Sequence, residues 1–326
     1  MANYKELEGF GVQTLATDPD NPGWIGSIFY NSTSGTFKTV KPGGAPAGTW
    51  SSGGTMNVTR GNDGASGGTS VNDAIATTGY TGTAFSLSAE TYDGSAWTSI
   101  ANINTGRTET KGSASGSSTA FIFFGGDIPP ATGATESWNG SSWTEVNDLN
   151  TARETIGGAG IQTAALGFGG ETPAVTGATE SWNGTSWTEV NDLNNARARV
   201  VGIGIQAAAL AVAGGAPASV ESWDGSSWTV VASLNSPRYG GATAGTQTAG
   251  LYSGGDLPPN TAKTESWDGT SWTEVADLAT ARRGLFGSGA AGSAVVSGGY
   301  TTTYVNITEE WTAPAPFASN VTLTAS

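Results

Sequence analysis

The chain has no cysteine and no histidine among its 326 residues. That excludes disulfides, thiol nucleophiles and zinc sites built on these residues, and it removes the commonest general base at neutral pH. Basic residues are also scarce, with 13 Lys plus Arg against 27 Asp plus Glu and a formal net charge of −14. With no Lys/Arg cluster, phosphate binding has no electrostatic footing, so nucleic acid is not an expected partner. Anionic membrane surfaces are disfavoured on the same ground. No run of 18 apolar residues occurs, so no helical membrane insertion is expected. The opening residues, Met1 to Glu6, hold no apolar signal core. A role outside a cell would therefore be expected to follow lysis or a dedicated export route.

Against these absences stand 50 Gly and 12 Trp. The glycines suit short strands joined by tight turns, and the tryptophans argue for a packed core rather than disorder. A block of the form Glu-x-(Trp/Tyr)-(Asn/Asp)-Gly-x-x-Trp recurs at Glu90–Trp97, Glu136–Trp143, Glu180–Trp187, Glu221–Trp228 and Glu265–Trp272, with a truncated copy at Glu309–Trp311. The spacing is close to 44 residues. An Arg stands ten residues beyond each second Trp, from Trp97/Arg107 to Trp272/Arg282, and a Gly-Gly doublet follows an apolar run in five units. In the first unit the doublet is replaced by Thr78-Gly79.

A period of this length with strand-sized segments predicts a four-stranded blade. The first strand follows the Arg, the second is the apolar run, the third holds Glu-Ser-Trp and the fourth starts at the second Trp. The Asn-Gly or Asp-Gly between the third and fourth strands predicts a type I′ hairpin turn. The order Arg, Gly-Gly, aromatic, Trp resembles the kelch repeat over residues 48–312. The fold class expected is all-β, a six-bladed kelch-type β-propeller with a short N-terminal β-hairpin extension. Ring closure follows from counting. The last unit lacks a second Trp, and Trp50 stands ten residues before Arg60 with no unit ahead of it. An N-terminal strand at Trp50 is therefore expected to complete the sixth blade.

The aromatic residues are expected in the core, and the Gly-Gly doublets at close backbone approaches with φ > 0 rather than around phosphate. One Arg (60, 107, 153, 197, 238, 282) and one Glu (90, 136, 180, 221, 265, 309) occur per unit. Structural ion pairs are the first reading, and a cationic ring at the channel mouth is the other. Some kelch-like domains belong to copper oxidases, whose site needs His and a Cys-linked Tyr, and this chain has no His and no Cys. Carboxylates that recur six times also make poor catalytic candidates. No catalytic residue, cofactor or metal site is expected, and the chain is read as a non-enzyme. Partner binding is expected at the variable loops between second and third strands, at Asp127, Pro129, Pro130, Thr172, Pro173, Asp256, Pro258 and Pro259.

Residues 1–47 lie outside the repeat and form an expected attachment or assembly segment, with residues 48–312 the propeller and 313–326 an apolar C-terminal β tail. Within the first segment, the turn-rich stretch Asp18–Gly23 precedes an expected hairpin with its turn near Ser32 to Gly35. The stretch Gly26-Ser27-Ile28-Phe29-Tyr30-Asn31 … Gly35-Thr36-Phe37-Lys38 resembles short segments of bacteriophage fibre and other virion proteins. Trp24, Ile28, Tyr30 and Phe37 are the expected assembly residues. The resemblance implies a virion structural protein (a phage fibre, spike or decoration protein) located in the extracellular particle. Its implied partners are copies of itself or other virion proteins, with a host-surface glycan or protein as the recognised target. The alternatives are an extracellular fibre or adhesin subunit of a cell, and an intracellular kelch scaffold.

Overall fold

The computed structural model describes residues 13–16, 28–42, 48–215, 219–314 and 318–322. The chain divides into two compact units: Thr49–Ala313, and a second drawn from the residues before and after that span.

The larger unit is a six-bladed β-propeller. Each blade is a four-stranded antiparallel sheet in sequence order. Blade 3 is representative, with strands Gly157–Ile161, Ala164–Phe168, Thr179–Trp182 and Trp187–Val190. The first strands of the six blades are Ala65–Ser70, Lys111–Gly112, Gly157–Ile161, Val201–Ile205, Ala242–Thr246 and Phe286–Ala290. Each lies against the next, and the last lies against the first, so they line the axis. Blade 6 takes its outer strand from the front of the propeller segment. Thr49–Ser52 pairs antiparallel with Thr308–Thr312, setting Trp50 opposite Trp311. Their rings lie 5.3 Å apart, and the Trp50 indole donates to the Ala276 carbonyl at 3.0 Å.

The repeat's composition explains its packing. The paired tryptophans of one blade fill the face of the blade before it. Trp182 and Trp187 pack with Ile122, Phe124 and Leu149, and Trp267 and Trp272 pack with Val201, Ile203 and Leu210. Near the axis, side chains give way to backbone. A β-carbon on Gly202 would lie 2.0 Å from the Gly158 carbonyl oxygen, and one on Gly158 would lie 2.5 Å from that of Gly112. The axial cavity lined by these glycines is about 20 Å³, room for about one water.

The Gly-Gly doublets sit where blades meet. In five blades the N–H of the second residue donates to the carbonyl of the repeated Arg in the following blade, as Gly170 does to Arg197 at 2.9 Å. In blade 4 the left-handed pair is Ala213–Gly214, one position ahead of the Gly214-Gly215 doublet, and in blade 1 Thr78 takes the left-handed place. The turn between third and fourth strands differs from the expected type I′. It is a four-residue loop in which only the glycine is left-handed, as at Gly140, φ +91°. The Asn139 side-chain oxygen caps the turn by accepting from the N–H of Ser141 and of Ser142, each at 2.9 Å, so a two-residue turn is not needed.

The second unit joins strands from both terminal segments. Gln13–Leu15, Ile28–Asn31, Thr36–Pro42 and Ala318–Thr322 form one four-stranded sheet in that order. The expected hairpin is present, with its turn at residues 32–35 and Gly35 at φ +66°. The C-terminal strand pairs with its second strand, Val321 opposite Thr39. Phe29 is buried, while Ile28, Tyr30 and Phe37 share the other face, with Tyr30 and Phe37 cross-strand partners 5.2 Å apart. Trp24, the Asp18–Gly23 stretch and the tail residues Phe317 and Leu323 lie outside the described residues.

Candidate functional site: the loop face and axial mouth

The six repeated Arg residues are consumed by the fold and do not form a cationic ring. Arg107 is fully buried, with its guanidinium 2.9 Å from the equally buried Glu136. It also donates to the carbonyls of Gly125 and Ala134 at 3.1 Å, and stands over Phe123 at 4.4 Å. The same pair recurs in every blade: Arg60/Glu90, Arg153/Glu180, Arg197/Glu221, Arg238/Glu265 and Arg282/Glu309. A buried pair of this kind needs every lone pair satisfied. Here the second carboxylate oxygen accepts from a residue the motif reading overlooked, an Asn three positions before the Arg. Asn150 donates its backbone N–H (2.7 Å) and its side chain (2.9 Å) to Glu180, and Asn235 does the same to Glu265. Its signal was a recurring Asn in five of the six units, with Ala279 in the sixth. At Glu221, burial pushes the carboxyl up. The Arg197 guanidinium and the Asn194 donors overcome that and hold it below the ordinary range.

Two positions past each repeated Arg stand Asn62, Glu109, Thr155, Arg199, Gly240 and Gly284. All six are left-handed, with φ between +53° and +69°. Their backbones link blade to blade: Glu109 N–H to Asn62 O, Thr155 to Glu109, Arg199 to Thr155, and Gly284 to Gly240, at 2.7–3.3 Å. These positions collar the axis at one end of the propeller. The loops between second and third strands open on the same end, because in five blades the residue after the repeated Arg bridges to the residue after the left-handed pair. Thr108 bridges Asp127, Glu154 bridges Glu171, and Tyr239 bridges Asp256.

The expected binding residues therefore fall on one face but in two places. Asp127, Pro129, Pro130, Thr172 and Pro173 line one cleft of about 550 Å³ between blades 2 and 3, together with Glu154 and Glu171. The Pro129–Pro130 and Thr172–Pro173 bonds are cis, as is Pro258–Pro259. Burial pushes Glu154 above the ordinary carboxylate range, with Asp127 and Glu171 adding to it. Pro258 and Pro259 are exposed in blade 5, away from that cleft, and Asp256 turns to the axial mouth. There it lies 2.6 Å from the Arg283 guanidinium and accepts from the Tyr239 hydroxyl at 3.1 Å.

The axial mouth is a cavity of about 680 Å³ that the sequence reading missed, since the residue type at the repeat positions lining it changes from blade to blade. Its wall includes Arg199, Tyr239, Arg283, Tyr300 and Tyr304, with Gly240 and Gly284 opening it on the collar. Arg199 stands over Tyr239 at 5.6 Å and 3.6 Å from Glu109, and Arg283 stands over Tyr300 at 5.3 Å. Burial raises the Glu109 carboxyl to about 7; Arg199 opposes this, and Asp63, Glu154 and Asp127 add to it. A third cleft, of about 650 Å³, shares Glu171 with the first and Arg199 and Tyr239 with the mouth, so the three run together across the face. Among the described residues, no group of three or more Asp and Glu could hold a metal ion. Among the described residues there is no helix long and apolar enough to cross a membrane.

No family model matches the sequence, and no curated protein matches it. Among solved structures, the one described as "Structure of YjhT" superposes over 81% of this chain and 100% of its own length, with a TM-score of 0.65 at 13% identity. At that identity the likeness is one of fold, and it agrees with the six-bladed propeller.

Proposed function

We propose that this chain is a non-enzymatic structural protein of a virus particle, of the phage fibre, spike or decoration kind. Its terminal sheet attaches it to sister copies or other virion proteins, and its propeller presents the loop face for binding to a host surface. The observation that carries this reading is the convergence of both chain ends in one sheet, while the propeller closes on itself. The propeller leaves only short outer edges, one strand of three or four residues per blade such as Trp187–Val190, so association falls to the terminal sheet, whose outer strands Gln13–Leu15 and Ala318–Thr322 end it. The likeness of residues 26–38 to virion segments supports the particle setting. A non-catalytic role agrees with carboxylates that are already engaged, Asp256 by Arg283 and Tyr239, and the repeated Glu by the repeated Arg.

Light scattering on the full chain beside residues 49–313 tests it. Both ends must be removed together, because cutting one leaves a strand of the terminal sheet unpaired. Assembly of the full chain with a monomeric propeller is the expected result. Two monomers would overturn the attachment role.

A further inference from the structure

We propose that the axial mouth is a binding site for an uncharged sugar unit, the terminal residue of a glycan. The proposal rests on the host-surface reading above and names the ligand class and the place. Four of the six collar positions carry side chains, Asn62, Glu109, Thr155 and Arg199, while Gly240 and Gly284 carry none. The missing side chains fall next to each other on the collar, and the cavity opens there. Its volume of about 680 Å³ lies in the ordinary range for a small-ligand site.

The chemistry of the wall selects the ligand. Arg199 sits by Glu109, Arg283 by Asp256, and Lys111 by Asp63 at 3.2 Å. Each of the three cations thus has a carboxyl partner, so none stands free to capture an anion. The acidic cleft alongside, with Asp127, Glu154 and Glu171, disfavours an anion further. A guanidinium next to a carboxylate offers a donor beside an acceptor, and vicinal hydroxyls, each able to donate and accept, match that pairing. Both guanidiniums are partly open to solvent, with side-chain exposures of 41% for Arg199 and 43% for Arg283, so their outer N–H groups can be reached. Tyr300 and Tyr304, tilted at 66° with centroids 5.1 Å apart, present aromatic surface to the C–H face of a sugar ring. Backbone bonds between blades tie the collar from Asn62 through Glu109 and Thr155 to Arg199, and Gly284 to Gly240, which sets these backbones before the ligand arrives.

The test uses the full chain and saturation-transfer NMR with glucose, galactose, mannose, N-acetylglucosamine and glucuronate, each at about 10 mM, a concentration that reveals weak single-sugar affinity. At least one neutral sugar is expected to bind, more strongly than glucuronate. Gly240→Asn should weaken that binding at least about tenfold, the equivalent of 1.4 kcal/mol. A β-carbon at Gly240 meets nothing closer than 3.6 Å, and Asn tolerates the left-handed backbone, so this variant fills the cavity without disrupting the blades. Arg283→Ala should weaken binding comparably, and Asp224→Ala, in a distant turn, should leave it unchanged. Binding of glucuronate alone, binding undiminished in Gly240→Asn, or no binding by any neutral sugar would each overturn the assignment. The assembly measurement reads the terminal sheet and is independent of this one. A chain that assembles without binding sugar loses the site and keeps the display role, and a monomer that binds sugar does the converse.

Discussion

Glu136 has no access to water, and its charge is balanced by Arg107 and by the backbone and side chain of Asn104. Replacing one member of such a pair strands the other's charge in the interior. Glu136→Gln is expected to cost about 3–5 kcal/mol of unfolding free energy, measured by urea denaturation. A loss near zero would mean that Arg107 finds water or another acceptor. Glu109 behaves differently, because its carboxyl is raised from 4.5 to about 7 in the folded chain. Below pH 4.5 both states hold the proton and its contribution is complete. Between 4.5 and 7 the unfolded chain loses its proton first, so stability falls as pH rises, and the loss is complete above about 7. Urea midpoints of Glu109→Gln across that window should fall less steeply than those of the parent chain, and parallel curves would refute the assignment. Glu221, held low, has the opposite sign: what it contributes is present above its ordinary 4.5 and is lost as pH falls through the lower folded value. The Arg/Glu pairing was legible because both residues recur once per unit. The Asn that completes it was less visible, since Asn is common in these loops and Ala279 breaks its series.

Strands and blades carried the clearest sequence signal. Each strand type appears up to six times in one order, so an ambiguous apolar run such as Ala208–Val212 is settled by its counterparts. The first strands gave the weakest pattern, because their glycines look like turn residues. Those glycines are there because consecutive strands meet backbone to backbone at the axis. Gly202→Ala places a methyl 2.0 Å from the Gly158 carbonyl oxygen, contact that only backbone movement can relieve. It is expected to cost about 3 kcal/mol, at the upper end of overpacking penalties, and to lower the thermal midpoint. An unchanged midpoint would show that the inner strands can slide apart. The mouth was invisible for the opposite reason. Arg199, Tyr239, Arg283 and Tyr300 stand at repeat positions whose residue type changes from blade to blade, and only the closed ring brings them together.

For the whole molecule, one sheet pairing closes the propeller. Trp50→Ala removes the stacking on Trp311 and the indole bond to Ala276. It is expected to cost about 3 kcal/mol, seen as a lower urea midpoint for the entire propeller rather than for blade 6 alone. Separate transitions for blade 6 and the rest would contradict a ring that unfolds as a unit. The closing strand was legible from the paired excess and deficit of tryptophans at the two ends of the repeat. The terminal sheet was only half legible. Its hairpin is local, but Thr36–Pro42 meets Ala318–Thr322 across nearly the whole chain, with no repeat to announce the pairing.

That joining of strands far apart in the chain sets a timetable during synthesis. Thr49–Ser52 leaves the ribosome long before its partner Thr308–Thr312 is translated. At 5–20 residues per second the wait is roughly 10–50 s, and throughout it the nascent chain carries an incomplete arc with an open flank at each end. The strand that waits is short and polar apart from one tryptophan, Thr49-Trp50-Ser51-Ser52, a poor template for pairing with a neighbouring nascent chain on the same message.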